Sequence, residues 1–213
     1  PGMPTGAPAT AELYAKLVDF GKRHGIMICN DNPYSFILND NPLSILAQPG
    51  AKDCCLELNS LSKAHNMAGW RIGMVAAEAE VIEQILKVKS QMDSGMFRPL
   101  QLAAVEALKQ GPEWFAQLNE EYARRRLLAG EIFDILGVEY DRNSTGMFLW
   151  GRVPEGNGEA LADKILYEAG VFITPGFIFG RNGEDYVRIS LCAKPELLKK
   201  AAEKIKKLWE QET

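Results

Sequence analysis

The chain has 213 residues, 46% of them hydrophobic and 24% charged, with a formal net charge of −4. That length fits one large domain or two small ones, and the balance is that of a globular protein. The mild acidity gives no electrostatic reason to expect a nucleic-acid partner, no apolar run reaches the ~20 residues that cross a bilayer, and no signal-peptide pattern opens the sequence.

Pro1-Gly2-Met3-Pro4-Thr5-Gly6 reads as a loop with no element ahead of it, as though the sequence starts partway into a larger fold. Residues 10–23 read as a helix. Thr10 is the N-cap, Leu13, Leu17 and Phe20 share a face, and Gly25 follows the end. Ile26-Met27-Ile28-Cys29 is a continuous apolar run, the pattern of a strand buried on both faces. It ends in Asn30-Asp31-Asn32-Pro33-Tyr34, a turn cluster that places an acid and a phenol just past the strand's carboxyl end. Ligands of open α/β sheets bind at that edge.

A polar loop over 39–53 leads to a second strand, 54–58, and Ser60-Leu61-Ser62-Lys63 lies just beyond its carboxyl end. Two strands thus deliver chemistry to one edge. Residues 72–77 read as a third strand with Arg71 at its start. For Arg71 to reach the same site, this strand must run antiparallel to the other two. Cys29, Cys54, Cys55 and Cys192 lack metal-ligand spacing and lie mostly in strand-like runs, so buried thiols in a reducing cytoplasm are expected, with Cys54 and Cys55 on opposite faces.

Helical patterns follow over 80–91, 100–109 and 113–136; the Arg124-Arg125-Arg126 run in the last reads as a solvated face. After Gly137 the texture changes to short strands, 138–140, 147–153, 171–174 and 186–190, alternating with helices over 159–169 and 195–210. The expected division is a partial large domain over 1–112 and a smaller α+β domain over 113–213, led by the long helix.

Lys63 is the centre of the chemistry. An amine on a turn, with Ser60 and Ser62 before it and Arg71 eight residues on, is suited to form a Schiff base while hydroxyls and guanidinium hold a phosphate. Ser60-Leu61-Ser62-Lys63 with Gly69-Trp70-Arg71-Ile72-Gly73 resembles the pyridoxal-phosphate attachment signature of the class I/II aminotransferases. Asp31-Asn32-Pro33-Tyr34 has the family's Asp-x-x-Tyr spacing, and Gly146-Met147-Phe148-Leu149-Trp150 is similar to a stretch of its small domain.

The resemblance implies an α/β, fold-type I enzyme with pyridoxal 5′-phosphate as cofactor and no metal. Its large domain is represented here by a mixed, mostly parallel sheet remnant with helices. Lys63 would carry the cofactor and then move a proton between the substrate's α-carbon and C4′. Asp31 would pair with the ring nitrogen, Tyr34 with the phenolic oxygen, and Ser60 and Arg71 with the phosphate. Ser62 either joins them or is small for steric reasons. By itself Asp31 is an ordinary turn former and Arg188 an ordinary strand residue. The resemblance assigns Arg188 the substrate α-carboxylate. One position departs: Met3-Pro4-Thr5-Gly6 stands where the family reads Asn-Pro-Thr-Gly, and Met3 cannot bond the phenolic oxygen. His24 reads as a helix-end cation and His65 as a loop residue near the site.

The implied reaction transfers an amino group between an amino acid and a 2-oxo acid, in a homodimer. Alternatives on the same scaffold are a lyase or synthase, or the effector domain of a transcription regulator. The resemblance covers only the second part of the family's sequence. The chain is therefore expected to be a C-terminal fragment that lacks an N-terminal half and has little activity alone.

Overall fold

The structure, a computed structural model, describes residues 1–211. Contacts divide it into two units, Pro1 with Ala9–Ala116, and Gly2–Pro8 with Gln117–Thr213. The N-terminal loop thus groups with the later half of the sequence.

In the first unit, helix α1 (Ala11–His24) begins where Thr10, in extended conformation, accepts the Leu13 N–H on its hydroxyl; Gly25 closes it at φ 62°. Strand β1 (Ile28–Asp31) runs parallel to β2 (Cys55–Ser60), and β3 (Gly73–Ala76) returns antiparallel to β2, giving the order β1-β2-β3. The antiparallel return that Arg71 requires is therefore present. Helices α2 (Leu61–Ala64), α3 (Ala79–Met92) and α4 (Arg98–Leu108) follow the strands, and α5 (Pro112–Leu136) starts in this unit. One core joins Tyr14 and Val18 of α1 to Ile45, Ala51, Cys54 and Cys55; a second gathers Met67, Ile72 and Ala104.

Three expectations need correction here. The first strand starts two residues late and is not buried on both faces: Ile26 and Met27 are each 45% exposed. The Ile26 N–H bonds Gly21 O as the chain leaves α1, so the start of the apolar run serves the connection. Cys54 ends a 3₁₀ turn (Ala51–Asp53) instead of opening β2, so it and Cys55 do not point to opposite faces. Both are buried, with sulfurs 3.8 Å apart. Burial, then the neighbouring Cys54, pushes the Cys55 thiol up to about 11. Cys29 and Cys192, expected inside, are exposed.

The loop after β1 is fastened by a buried acid. Glu57 of β2, 8% exposed, accepts on Oε2 from Asn30 Nδ2 (2.9 Å), Ser44 Oγ (2.9 Å) and the Ile45 N–H (3.0 Å). Its Oε1 accepts from Asn32 Nδ2 at 3.4 Å. Asn30 also donates to the Tyr14 hydroxyl at 3.2 Å, tying α1 to the same cluster.

In the second unit, β4 (Glu139–Tyr140), β5 (Phe148–Arg152), β6 (Thr174–Pro175) and β7 (Tyr186–Ser190) form an antiparallel sheet in the order β4-β5-β7-β6. Helix α6 (Gly158–Lys164) widens into a π-turn (Ile165–Ala169), and α7 (Pro195–Glu210) closes the unit. Period-two alternation buries Leu149, Gly151, Val187 and Ile189 on one face and turns Phe148, Trp150, Tyr186 and Arg188 to the other. Phe133 of α5 lies against Gly151 on the buried face, Ile132 of α5 and Leu198 of α7 line a cavity beside Ile189, and Ile205 of α7 is fully buried. A Cβ at Gly151 would stand 2.9 Å from Phe133 Cε2, so the ring occupies the room the glycine leaves.

The arginine run is not simply a solvated face. Arg124 is exposed beside Glu121, but Arg125 Nη1 donates to Leu191 O (3.2 Å) and Cys192 O (3.3 Å), and Arg126 Nη1 to Ser144 O (2.9 Å). Gly6, at φ 72°, receives the Thr145 N–H (3.0 Å) and hydroxyl (2.7 Å) on its carbonyl. A side chain there would meet Thr145 O at 2.6 Å in a backbone region that already disfavours it. Among the described residues no helix is long and apolar enough to cross a membrane.

Two outcomes follow from this packing. A thiol reagent is expected to modify Cys29 and Cys192 in the folded chain and Cys54 and Cys55 only after unfolding; early reaction at Cys55 would contradict its burial. Phe133→Ala, at a fully buried ring, is expected to cost about 3–5 kcal/mol in denaturant unfolding.

Candidate active site

The parallel pairing of β1 and β2 sets the site. Asp31 is in register with Leu58, so the turn after β1 and the turn after β2 open on the same edge. Asp31 is the exposed last residue of β1. Tyr34 follows in the turn, and Lys63 Nζ stands 5.6 Å from the centroid of its ring. Lys63 is half-buried on the short helix α2.

Ser60 caps that helix. Its Oγ accepts the Ser62 N–H at 3.0 Å, lies 2.8 Å from Ser62 Oγ, and donates toward Ile72 O at 3.1 Å. The two hydroxyls are thus paired at the end of β2, beside the return of β3, where Ser60 faces Gly73. A Cβ at Gly73 would lie 2.9 Å from Asn59 O, so the last glycine of the signature lets the two backbones close. Arg71 precedes β3 in the left-handed conformation (φ 55°, ψ 48°), with Nη1 donating to Ala68 O at 2.9 Å. From below, Trp114 Nε1 donates to Ala64 O at 2.9 Å and fixes the residue after Lys63.

The first unit therefore contains Asp31, Tyr34, Ser60, Ser62, Lys63 and Arg71 around the ends of adjacent strands. Arg188 belongs to the second unit. There its Cζ lies 4.0 Å from the Phe148 ring centroid and 4.2 Å from that of Phe179, a cation between two aromatic faces. Trp150 carries the layer on, stacked on Tyr186 at 5.0 Å and 12° and meeting Phe179 edge-on at 5.7 Å. Sequence reasoning found Arg188 but not Phe148 or Phe179 as its neighbours. The alternation of β5 and β7 offered a signal for Phe148; Phe179 sits in a 3₁₀ turn (Gly176–Phe179) with no period to read.

Comparisons with known proteins agree on one family. The family model described as aminotransferase class I and II matches residues 1–205. The LL-diaminopimelate aminotransferase of Aquifex aeolicus is 43% identical over 211 residues, 98% of this chain and 54% of that protein. Among solved structures, apo BacF from Bacillus subtilis superposes with a TM-score of 0.90 at 35% identity, over 98% of this chain and 54% of its own. The aromatic aminotransferase of Pyrococcus horikoshii gives a TM-score of 0.90 at 30% identity, over 100% and 58%. The chain spans about half the length of the curated relatives it matches.

His65, two residues past Lys63, is more constrained than a loop histidine. Its ring meets Phe115 edge-on at 5.5 Å, and its Nδ1 is buried with no hydrogen-bond partner among the described residues. It lines an apolar cavity of about 340 Å³ with Ser60, Leu61, Ile72, Met74 and Leu108. Burial disfavours the imidazolium and lowers the pKa of His65. On acidification the unfolded chain takes up this proton first. The stability carried by the neutral ring is thus complete above the ordinary histidine range and lost as pH falls through the depressed value. An NMR titration of the His65 ring is expected to show a midpoint below that of an unstructured histidine; a midpoint at or above it would overturn the burial argument.

Proposed function

The chain belongs to the class I and II aminotransferases, and from that premise we propose that its residues form the lysine-bearing part of a pyridoxal-phosphate site that moves an amino group between an amino acid and a 2-oxo acid. The observation that carries the reading is the grouping of the Lys63 amine, the Tyr34 ring and the paired Ser60 and Ser62 hydroxyls at the ends of β1 and β2. These donors suit the cofactor group by group. Two hydroxyls and a guanidinium match a phosphate, an amine matches an aldehyde, and a phenol and a carboxylate match the two polar positions of a hydroxypyridine ring.

When bound, pyridoxal phosphate supplies an electron-withdrawing ring that stabilises negative charge at the substrate's α-carbon. Lys63 would hold it through Nζ and, once displaced by substrate, accept and return the α-carbon proton. Asp31 would keep a proton on the ring nitrogen, and the Tyr34 hydroxyl would donate to the phenolic oxygen. With Met3 unable to contribute there, Tyr34 carries that bond alone. Ser60, Ser62 and Arg71 would bind the phosphate. Arg188 is assigned the substrate α-carboxylate, which its forked donors take bidentately in the guanidinium plane.

The names of the curated relatives favour a transaminase over the lyase and regulator alternatives, and make LL-diaminopimelate the first amino donor to test. We extend the reading to a cytoplasmic homodimer. The assembly is supported by α3, which has no buried residue and exposes Leu86, Val88 and Met92. The location is supported by four free thiols. The relatives' remaining length is proposed to complete the phosphate cup, and β1 and β3 are the sheet edges on which it would build.

Borohydride trapping tests the assignment. With stoichiometric pyridoxal phosphate little adduct is expected, whereas in large excess the label should fall on the Lys63 peptide and vanish in Lys63→Ala. Even labelling across the lysines would overturn the role of Lys63; a stoichiometric, stable adduct would overturn the incompleteness of the site.

A further inference from the structure

Glu57 is a buried acid for which the proposed chemistry has no use. Removing a carboxylate from water is costly unless its lone pairs are met, and an apolar residue would fill a strand interior at less cost. The donors that meet it are the side chains of Asn30 and Asn32, the Ser44 hydroxyl and the Ile45 N–H, all neutral. Both oxygens must accept. An amide in its place would turn an NH₂ group toward one set of donors, so glutamine cannot reproduce the arrangement.

The placement of these donors gives the acid a purpose. Asn30 and Asn32 are the two neighbours of Asp31. Alternation along the strand puts both asparagines on the Glu57 side and Asp31 on the other, as burial shows: Asn32 is buried and Asp31 exposed. The Asn32 N–H extends the β1–β2 ladder to Leu58 O at 2.9 Å. Asn32 Nδ2 also donates to Leu43 O at 3.0 Å, and Ser44 caps the 3₁₀ turn that begins at Ile45. One carboxylate therefore grips the chain on both sides of Asp31 and pins the loop that packs beside it.

We propose that Glu57 is a positioning residue of the cofactor site, clamping Asn30 and Asn32 so that Asp31 and Tyr34 are presented in a fixed direction. It acts through its neighbours and touches no reacting atom. The proposal rests on the reading of Asp31 as partner of the pyridine nitrogen.

The test compares Glu57→Ala and Glu57→Gln with Val18→Ala, a core truncation in the same unit that removes none of these hydrogen bonds. Amide exchange in the isotope-labelled chain reads the clamp directly. Glu57→Ala is expected to lose roughly tenfold or more of the protection at the Asn32 N–H beyond any loss in Val18→Ala, with Glu57→Gln in between. A second readout uses 4′-deoxypyridoxine 5′-phosphate labelled at the ring nitrogen, which cannot bond to Lys63. Its pyridinium signal in the presence of the chain is expected to weaken in Glu57→Ala and survive in Val18→Ala. Equal behaviour of Glu57→Ala and Val18→Ala in the exchange experiment would overturn the clamp. A pyridinium signal that Asp31→Asn leaves unchanged would instead overturn the assignment of Asp31, while the exchange comparison still decides Glu57. Should Glu57→Ala fail to fold, Glu57→Gln carries the same comparison.

Discussion

Burying the Glu57 carboxylate costs several kcal/mol unless its oxygens meet donors, and the first unit supplies them from two separate stretches of chain. Asn30 comes from β1, Asn32 from the turn beyond it, and Ser44 and Ile45 from the loop leading to β2. Much else hangs on that point of convergence. Asn30 brings in Tyr14, and with it α1 and the core of Val18, Ile45 and Cys55. Burial raises the pKa of the Tyr14 phenol, the Asn30 hydrogen bond offsets part of that rise, and the nearby Glu57 charge adds to it. Three residues beyond Glu57, β2 ends at Ser60 and the lysine turn begins. The polar interior and the reactive edge are thus two parts of one strand.

The second unit solves a different problem, how to keep a guanidinium among rings without stranding its charge. The answer is in strand alternation. Phe148 and Trp150 on β5, and Tyr186 and Arg188 on β7, share a face because each pair is two residues apart. The opposite faces of the same strands supply Leu149, Val187 and Ile189 to the core. A one-residue slip of β7 against β5 would exchange those roles and push the guanidinium into the apolar layer.

What could be read in the sequence was what local chemistry repeats. Thr10 and Gly25 marked the ends of α1, the period of two marked β7, and the lysine signature marked the turn after β2. The antiparallel direction of β3 followed from asking how Arg71 reaches Lys63. What could not be read depended on partners far along the chain. Glu57 looks like any strand acid until Asn30, Asn32 and Ser44 are folded onto it. Trp114 meets Ala64 across 50 residues, and no period links them. The apolar run at Ile26 misled because hydrophobicity alone does not tell a buried strand from the connection before an edge strand. The arginine run misled because Arg125 and Arg126 reach backbone carbonyls whose position only the fold provides.

The bond between Gly6 and Thr145 has a consequence for how the protein is made. It spans 139 residues, so the N-terminal loop leaves the ribosome long before its docking partner exists. At about 5–20 residues per second, translation separates the two by roughly 7–28 s. During that interval the residues of the first unit, which lie between them in the sequence, are complete, while the loop belongs to a unit whose strands have yet to emerge. The loop must therefore wait on the growing chain with only its internal Gly2–Ala7 bridge, open to a chaperone or a protease, until Thr145 emerges to meet it.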